Sequence, residues 1–186
     1  MTAEGIGAVA DPDEDGSLAH VVGLVRDVPD YPQAGILFKD LTPVFADARA
    51  FTTVATELAA CVGEADVVAG IEARGFLLGA AVALVAGVGI VPIRKAGRLP
   101  RVAGSRTYDL EYGTATLELP ADTVAPGARV FVVDDVLATG GTAAATCALL
   151  TDAGAEVIGF GTLLELTSLP GRDVLAPLPV HALLRA

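Results

Sequence analysis

The stretch 130–142 constrains the possible folds more than any other part of the chain. It begins with four apolar residues, Val130 to Val133, rich in the β-branched side chains typical of a strand buried on both faces of a parallel sheet. Two carboxylates, Asp134 and Asp135, follow at once, and a small-residue loop with two adjacent glycines comes next. The Ala-rich stretch 143–150 then has a good helix profile. This order predicts an α/β fold with a binding site at the carboxyl edge of its sheet.

The small-residue loop suits a phosphate group. Gly140 and Gly141 lack a Cβ, so backbone N–H groups can close around an anion, and the helix that follows points its partly positive N-terminus at the same place. Thr139 and Thr142 add hydroxyl donors. The acidic pair before the loop would repel a phosphate but can accept hydrogen bonds from sugar hydroxyls beside it. The combination predicts a ribose 5-phosphate ligand, and the alternative is a solvated acidic pair next to an ordinary turn.

Composition and charge narrow the class of protein. The 186 residues suffice for one domain with a full core, and they are 53% hydrophobic but only 5% aromatic, so Ala, Val, Leu and Ile must build that core. A net charge of −11 disfavours nucleic acid as a partner. Cys61 and Cys147 lack metal-type spacing and are expected to be reduced thiols of a cytoplasmic protein. His20 and His181 stand alone in the sequence, which predicts no histidine-based triad or zinc site.

One run of eighteen residues, 76–93, contains no charge and has the length at which a membrane span is suspected. Three glycines and a proline interrupt it, so it divides more naturally into a buried helix, a glycine break and a buried strand. We therefore expect no contact with a membrane.

The N-terminal region is expected to be partly irregular. Residues 1–19 carry five acids and no base, which predicts a disordered acidic lead ahead of a single domain at residues 20–186. A helical face follows from Leu18 to Val25. Residues 31–46 contain two prolines and a glycine and predict an irregular segment, which is too apolar for a free loop and forms either a packed flap or the lining of a pocket.

A second stretch repeats the order of strand, charged turn and helix. A helix capped by Asp47 and running to Val62 leads to a buried strand at 66–71. The turn Glu72-Ala73-Arg74-Gly75 follows, and a helix begins at Phe76. The acid and the arginine of this turn either pair with each other or serve a second anionic group.

Five of the twelve basic residues fall within positions 94–106, with no acid among them. This segment predicts either a solvated mobile loop or a lid that closes over phosphates. Residues 107–112 and 114–119 then predict a hairpin around Gly113.

The rest of the chain continues the alternation of strands and helices. Residues 155–165 predict a strand, 169–173 a turn, and 179–184 a terminal edge strand. Such alternation predicts a parallel sheet with right-handed crossovers.

The stretch 130–142 resembles the phosphoribosyl-diphosphate (PRPP) binding motif of the type I phosphoribosyltransferases. Four more stretches, DYPQAGILFKDLTPVF, GIEARGF, IRKAGRLPRVAGSRTYDLEYGTATLEL and ELTSLPGRDVL, are similar to the adenine-specific subfamily, in register from about Val22 to the C-terminus. The GILFKD and YDLEYG stretches are the ones that favour adenine. The resemblance implies a type I phosphoribosyltransferase-like parallel sheet flanked by helices, with a small N-terminal hood or flap and a flexible loop-hairpin.

The resemblance also implies a reaction. A phosphoribosyl group passes from PRPP to adenine, giving AMP and pyrophosphate in purine salvage, and Mg²⁺ is carried by PRPP and pyrophosphate rather than by direct protein ligands. A cytoplasmic homodimer is implied as well.

Glu111 and Arg74 are the implied catalytic residues, and a strained or cis non-proline peptide is expected near Glu72-Ala73. The implied binding residues are Asp134, Asp135, Ala138, Thr139, Gly140, Gly141 and Thr142 for the ribose 5-phosphate, Glu72, Ala73, Arg94 and Lys95 for pyrophosphate, and Leu37, Phe38, Lys39 and Tyr112 for the adenine pocket and lid.

Other interpretations stay open at this point. One is a phosphoribosyltransferase for another base, such as xanthine, which the GILFKD and YDLEYG stretches disfavour. Another is a non-catalytic PRPP sensor that binds nucleic acid, which the acidic composition disfavours. Glu111 itself is either an unpaired side chain in a solvated hairpin or the group that contacts the purine as it loses a proton.

Overall fold

The computed structural model describes residues 7–8, 17–109 and 113–186. Strands and helices alternate along most of that length, as the sequence predicts. The strands are β1 (Gly7–Ala8), β2 (Arg26–Pro29), β3 (Leu37–Asp40), β4 (Val67–Ile71), β5 (Gly89–Lys95), β6 (Val102–Asp109), β7 (Thr114–Pro120), β8 (Arg129–Leu137), β9 (Glu156–Glu165) and β10 (Val180–Arg185). The helices are α1 (Ser17–Leu24), α2 (Thr42–Ala46), α3 (Ala48–Ala60), α4 (Arg74–Ala86), α5 (Gly141–Asp152) and α6 (Gly171–Leu175).

Eight of these strands form one sheet in the order β1-β10-β9-β8-β4-β5-β7-β6. The five central strands run parallel, whereas β1 at one edge and the hairpin of β6 and β7 at the other are antiparallel. Strands β2 and β3 form a separate antiparallel hairpin. The predicted parallel α/β sheet is confirmed, and it brings the carboxyl ends of β4, β5 and β8 together at one edge.

Strand β8 lies in the middle of the sheet and is buried on both faces. The side chains of residues 130–133 are at most 1% exposed. Phe131 and Val133 pack in the layer of α1, α3 and α4, whereas Val130 and Val132 pack with residues of α5. This alternation is that of a strand between two layers, which confirms the interpretation of the apolar run.

The acidic pair lies inside β8 rather than after it. Residues Asp134 to Leu137 continue the parallel ladder with β9, with Asp134 opposite Thr162 and Leu137 opposite Glu165. The low β-propensity of aspartate suggested an earlier end of the strand, but the neighbouring strand β9 carries the pairing onward.

The segment 31–46 is more regular than the sequence predicts. Strand β3 pairs with β2, and α2 begins within the same segment, with Pro43 in its first turn. A proline there gives up an N–H that has no helical partner anyway, so it starts a helix instead of breaking one. Leu41 and Val44 are fully buried, which confirms that the segment is packed.

Most of the basic segment 94–106 also belongs to strands. Strand β5 extends to Lys95 and β6 begins at Val102, so only residues 96–101 connect them. Arg106 of β6 forms an ion pair with Asp152 of α5, with Nη1 and Oδ2 2.8 Å apart. The prediction of a solvated loop is therefore wrong for most of this segment, because pairing with β7 extends the hairpin, whereas the alternative of a lid over phosphates stays a prediction. The hairpin around Gly113 is present, and its tip at 110–112 lies outside the described residues.

Several boundaries differ from those predicted. Helix α1 begins at Ser17 and ends at Leu24, one residue before Val25. Strand β10 is not an edge strand, since Gly7 and Ala8 of β1 pair with it, and the predicted turn at 169–173 contains the start of α6. Residues 1–6 and 9–16 of the predicted acidic lead lie outside the described residues. Within the described part of the chain, no helix is long and apolar enough to cross a membrane.

Candidate active site

The carboxylates of Asp134 and Asp135 form the centre of the site, near the carboxyl end of β8. Asp135 is only 5% exposed, whereas Asp134 is half-buried at the surface of the site. The backbone N–H of Asp135 donates to Oδ1 of Asp134 over 2.9 Å. Arg74, at the start of α4, places its Nε 2.7 Å from Oδ2 of Asp135. That ion pair lacks hydrogen-bond alignment, and Asp135 Oδ2 has no hydrogen bond to any of the described residues.

The ionised state is destabilised for both acids. Burial, and then the adjacent charge of Asp135, raise the pKa of Asp134 well above its ordinary value. Burial also raises the pKa of Asp135, although the positive charge of Arg74 opposes that shift. A hydrogen-bond donor stabilises the ionised form of a buried carboxylate, so sugar hydroxyls would be favourable partners.

The phosphate loop, residues 138–142, connects β8 to α5. Gly140 precedes the helix with a φ of +83°, a conformation that side-chain-bearing residues rarely adopt. Together with the end of β8 and the start of α5, the loop lines a concavity of about 90 Å³ that also includes Asp134. The structure thus brings the predicted cradle and Asp134, the first acid of the pair, together in one small space at the N-terminus of α5.

The turn at 72–74 lies beside this cradle, between β4 and α4. The peptide between Glu72 and Ala73 is cis, as the family resemblance implies. Oε2 of Glu72 accepts from the backbone N–H of Lys95 at 2.8 Å and from Nε of Arg94 at 3.2 Å. Burial alone would raise the pKa of Glu72, but these donors lower it overall. Glu72 thus pairs with Arg94 and Arg74 with Asp135, so the alternative of an ion pair within the turn is wrong.

Gly75 is a residue whose role the sequence did not reveal. A Cβ at this position would lie 2.8 Å from Oδ1 of Asp134 and 3.0 Å from the carbonyl oxygen of Val133. The first turn of α4 can therefore approach β8 only because residue 75 is glycine. The GIEARGF stretch contained this signal, since a glycine directly after the arginine permits such an approach.

The hairpin of β2 and β3 places Phe38 against Arg74. The Arg74 guanidinium carbon lies 5.7 Å from the Phe38 ring centroid, and the Tyr31 ring meets the same phenyl edge-on at 5.1 Å. Lys39, the next residue, pairs through Nζ with Asp27 of β2 at 2.7 Å and its side chain is 9% exposed. Leu37 is 49% exposed. Of the three predicted pocket residues, Phe38 is the one that contacts Arg74.

The hairpin of β6 and β7 also contacts the phosphate loop. The hydroxyls of Tyr108 and Thr142 lie 3.1 Å apart and share a hydrogen bond. The carbonyl oxygen of Asp109, the last described residue of β6, would lie 3.7 Å from a Cβ at Gly141. Glu111 and Tyr112, predicted for catalysis and the lid, lie outside the described residues. The sequence did not single out Tyr108, although it belongs to the YDLEYG stretch.

Comparison with known proteins agrees with this geometry. The phosphoribosyl transferase domain model matches residues 45–173, more than half of the chain. The chain belongs to the phosphoribosyl transferase family.

Individual relatives are named more narrowly. The adenine phosphoribosyltransferase of Mycobacteroides abscessus is 57% identical over 92% of this chain and 97% of its own length. A crystal structure of the enzyme of that name from Thermoanaerobacter pseudethanolicus superposes with a TM-score of 0.87 at 44% identity, covering 91% of this chain and 99% of the other. The Saccharomyces cerevisiae enzyme, solved with an imino-altritol bisphosphate and adenine, gives 0.85 at 35% identity, covering 91% and 99%.

Proposed function

We infer that this protein transfers a phosphoribosyl group from PRPP to adenine, giving AMP and pyrophosphate in purine salvage. The observation that carries the inference is the acidic pair and phosphate loop at the end of β8, with Arg74 held against Asp135 at 2.7 Å. A phosphate cradle, a pair of hydroxyl acceptors and a cation next to an aromatic ring occupy one edge of the sheet. Each element suits one part of the two substrates.

The ribose 5-phosphate occupies the region around β8 and α5. Backbone N–H groups of residues 138–142 bind the phosphate at the N-terminus of α5, and Thr139 and Thr142 add hydroxyl donors. Asp134 and Asp135 accept hydrogen bonds from the ribose hydroxyls. Support for this assignment comes from the raised pKa values of both acids, since new donors relieve the cost of their ionised state.

The pyrophosphate side is formed by the turn at 72–74 and the end of β5. Arg74, Arg94 and Lys95 provide positive charge, and Glu72 orients Arg94 by accepting from its Nε. The described residues contain no group of three or more His, Cys, Asp or Glu side chains that could hold a metal ion. A diphosphate binds Mg²⁺ through its own oxygens, so these residues would hold the metal indirectly, through the diphosphate, and the bound metal would supply positive charge at the leaving group.

Adenine lies next to Phe38, between the flap and Arg74. The flat π face of a purine ring stacks well on a phenyl face, and backbone groups of residues 37–39 contact the polar edge of the base. Glu111 contacts the purine and serves as the acid–base group for the proton that adenine loses as it attacks the anomeric carbon. Arg74 contacts Phe38 of the flap and Asp135 of the acidic pair, which supports a position between the two substrates.

The molecule works as a homodimer, and helix α4 supplies the surface for it. Leu77, Leu84 and Val85 are more than half exposed on this helix, and Ile90 of β5 is 39% exposed beside them. Apolar side chains concentrated on one helix face suit burial against a second copy. A cytoplasmic location agrees with the two free cysteines, Cys61 and Cys147.

The test is nucleotide formation from PRPP and Mg²⁺ with adenine, hypoxanthine, guanine and xanthine supplied separately. We expect AMP from adenine and no product from the other three bases. Glu111→Ala should then lower kcat with adenine by on the order of 100-fold while PRPP binding is retained. Product from an oxopurine would contradict the assignment of the pocket around Phe38. PRPP binding without product from any base would instead favour a non-catalytic PRPP sensor.

A further inference from the structure

A buried carboxylate at the end of β9 organises two arginines beside the phosphate loop. Glu165 is 5% exposed and accepts from Nε and Nη2 of Arg172 at 2.8 and 2.6 Å. It also accepts from Nε of Arg185 at 3.1 Å. The hydrogen bonds from Arg172 lower the pKa of Glu165, so it is a carboxylate at neutral pH. Within the described part of the chain, the hydrogen bonds of these side chains join Glu165, Arg172, Arg185 and Val180 and do not extend to the phosphate loop, so their geometry needs another explanation.

Arg172 connects three elements. It belongs to α6, its guanidinium is paired with β9 through Glu165, and its Nη1 donates to the carbonyl oxygen of Val180 in β10 at 2.9 Å. The short helix α6 has only five residues, too few to be stable by its own backbone hydrogen bonds. Arg172 therefore fixes the position of α6 against the sheet.

The first residue of α6 packs directly on the phosphate loop. A Cβ at Gly140 would lie 2.9 Å from the carbonyl oxygen of Gly171 and 3.0 Å from its Cα. A Cβ at Gly171 would overlap the carbonyl oxygen of Ala138 and lie 2.9 Å from Cγ of Leu137. Two glycine backbones thus meet with no space for a side chain on either, so α6 cannot shift toward the loop without displacing it, and a shift away removes the support of the loop.

We propose that Arg172 is a positioning residue for binding of the 5-phosphate. It acts through Gly171, which supports the loop at Ala138 and Gly140 and so fixes the direction of the loop N–H groups. The proposal rests on the role of residues 138–142 as the phosphate cradle. A cradle made of backbone groups depends on its support, because a displacement of a fraction of an ångström misaligns several donors at once.

The chain offers a matched pair of variants for the test. Arg172→Gln and Arg185→Gln each remove one arginine from Glu165, but only Arg172 belongs to α6. The measurements are the Kd for ribose 5-phosphate by calorimetry, and kcat with separate KM values for PRPP and adenine. For Arg172→Gln we expect the Kd for ribose 5-phosphate and the KM for PRPP to rise about tenfold, with the KM for adenine within about twofold of wild type. Arg185→Gln should stay within about twofold throughout, and Arg172→Lys should recover part of the loss.

Equal effects of Arg172→Gln and Arg185→Gln on the Kd would overturn the proposal, since the arginine would then act only on the charge of Glu165. If Arg172→Gln does not fold, Gly171→Ala decides the question. It keeps the Arg172–Glu165 pair but introduces a Cβ against Ala138. An unchanged Kd for ribose 5-phosphate in Gly171→Ala would overturn the proposal as well. Failure of the wild-type protein to bind ribose 5-phosphate would instead contradict the assigned role of the loop.

Discussion

Arg74 and Asp135 form the contact that joins the two halves of the site, with Nε of the arginine 2.7 Å from Oδ2 of the aspartate. The arginine starts α4, directly after the turn that follows β4, and the aspartate belongs to β8. Because these strands are parallel neighbours, their carboxyl ends bring the two residues together although 61 positions separate them in sequence. The same arginine lies over Phe38, so its charge is shared between the acidic pair and the flap.

Replacing Arg74 by lysine should separate the effect of the positive charge from the effect of the planar guanidinium group. Lysine keeps the positive charge but cannot reach Asp135 and cover the Phe38 ring with one planar group. We expect kcat/KM for PRPP to fall by on the order of 100-fold. Arg129→Lys, which alters an exposed ion pair with Glu64 and Asp66, is the control and should leave activity unchanged. Wild-type activity in Arg74→Lys would mean that charge alone suffices.

The sequence predicted the parts of this site that are local. Each of these parts is a contiguous segment, so its neighbouring residues predict its chemistry. They are the phosphate loop, the acidic pair and the turn at 72–74. The cis peptide at Glu72-Ala73 came from the family resemblance rather than from the residues alone. What the sequence did not reveal are contacts between distant segments, such as that of Tyr108 with Thr142. No periodicity or motif encodes a pair of residues 34 positions apart.

The errors in the fold have a common cause as well. Proline, glycine and charge predict irregular structure at 31–46 and 94–106. In both places pairing with another strand determines the structure, β2 with β3 and β6 with β7. Tertiary pairing thus overrides local propensity in the isolated hairpin of β2 and β3 and at the sheet edge formed by β6.

Asp134 should make the protein less stable as the pH rises. Its folded-state pKa is raised above the ordinary value of 3.8, so the stability associated with the protonated acid is present at low pH and lost as the pH rises through the folded pKa. Asp134→Asn should therefore melt about 2–4 °C above wild type at pH 8, with a smaller difference near pH 4. Glu156→Gln, which neutralises an exposed carboxylate outside the site, is the control. A difference in melting temperature that is independent of pH would contradict the expectation.

Gly140 and Gly127 allow backbone strain to be separated from loop packing. Both have a positive φ, +83° and +78°, so alanine should cost about 1 kcal/mol of stability at either position. Only at Gly140 does the new Cβ meet a neighbour, the carbonyl oxygen of Gly171 at 2.9 Å, whereas Gly127 has open space. Gly140→Ala should thus raise the KM for PRPP by about tenfold or more, and Gly127→Ala should not change it. Steady-state kinetics at saturating adenine would measure both, and equal KM values would contradict the assignment.

Phe38 should affect adenine more than PRPP. Leucine at this position keeps apolar bulk but removes the aromatic ring. A purine can stack on that ring, and the Arg74 guanidinium lies over it. We expect the KM for adenine to rise about tenfold and the KM for PRPP to change by less than about threefold. Phe45→Leu is the control, because that ring packs edge-on against Phe51 in the helical layer at 5.6 Å. A larger effect on PRPP than on adenine would place the base elsewhere.

Leu84 tests whether α4 forms the contact between two copies. It is 83% exposed and stands with Leu77 and Val85 on a face without charged residues. A glutamate there would bring two like charges into an apolar contact, so it should favour the monomer. Light scattering after gel filtration should then give about twice 18.7 kDa for the wild type and 18.7 kDa for Leu84→Glu. Val102→Glu, at a 43% exposed apolar residue of β6, should remain dimeric. A dimeric Leu84→Glu would show that the copies meet through another surface, and a monomeric wild type would show that the exposed face of α4 has no such partner.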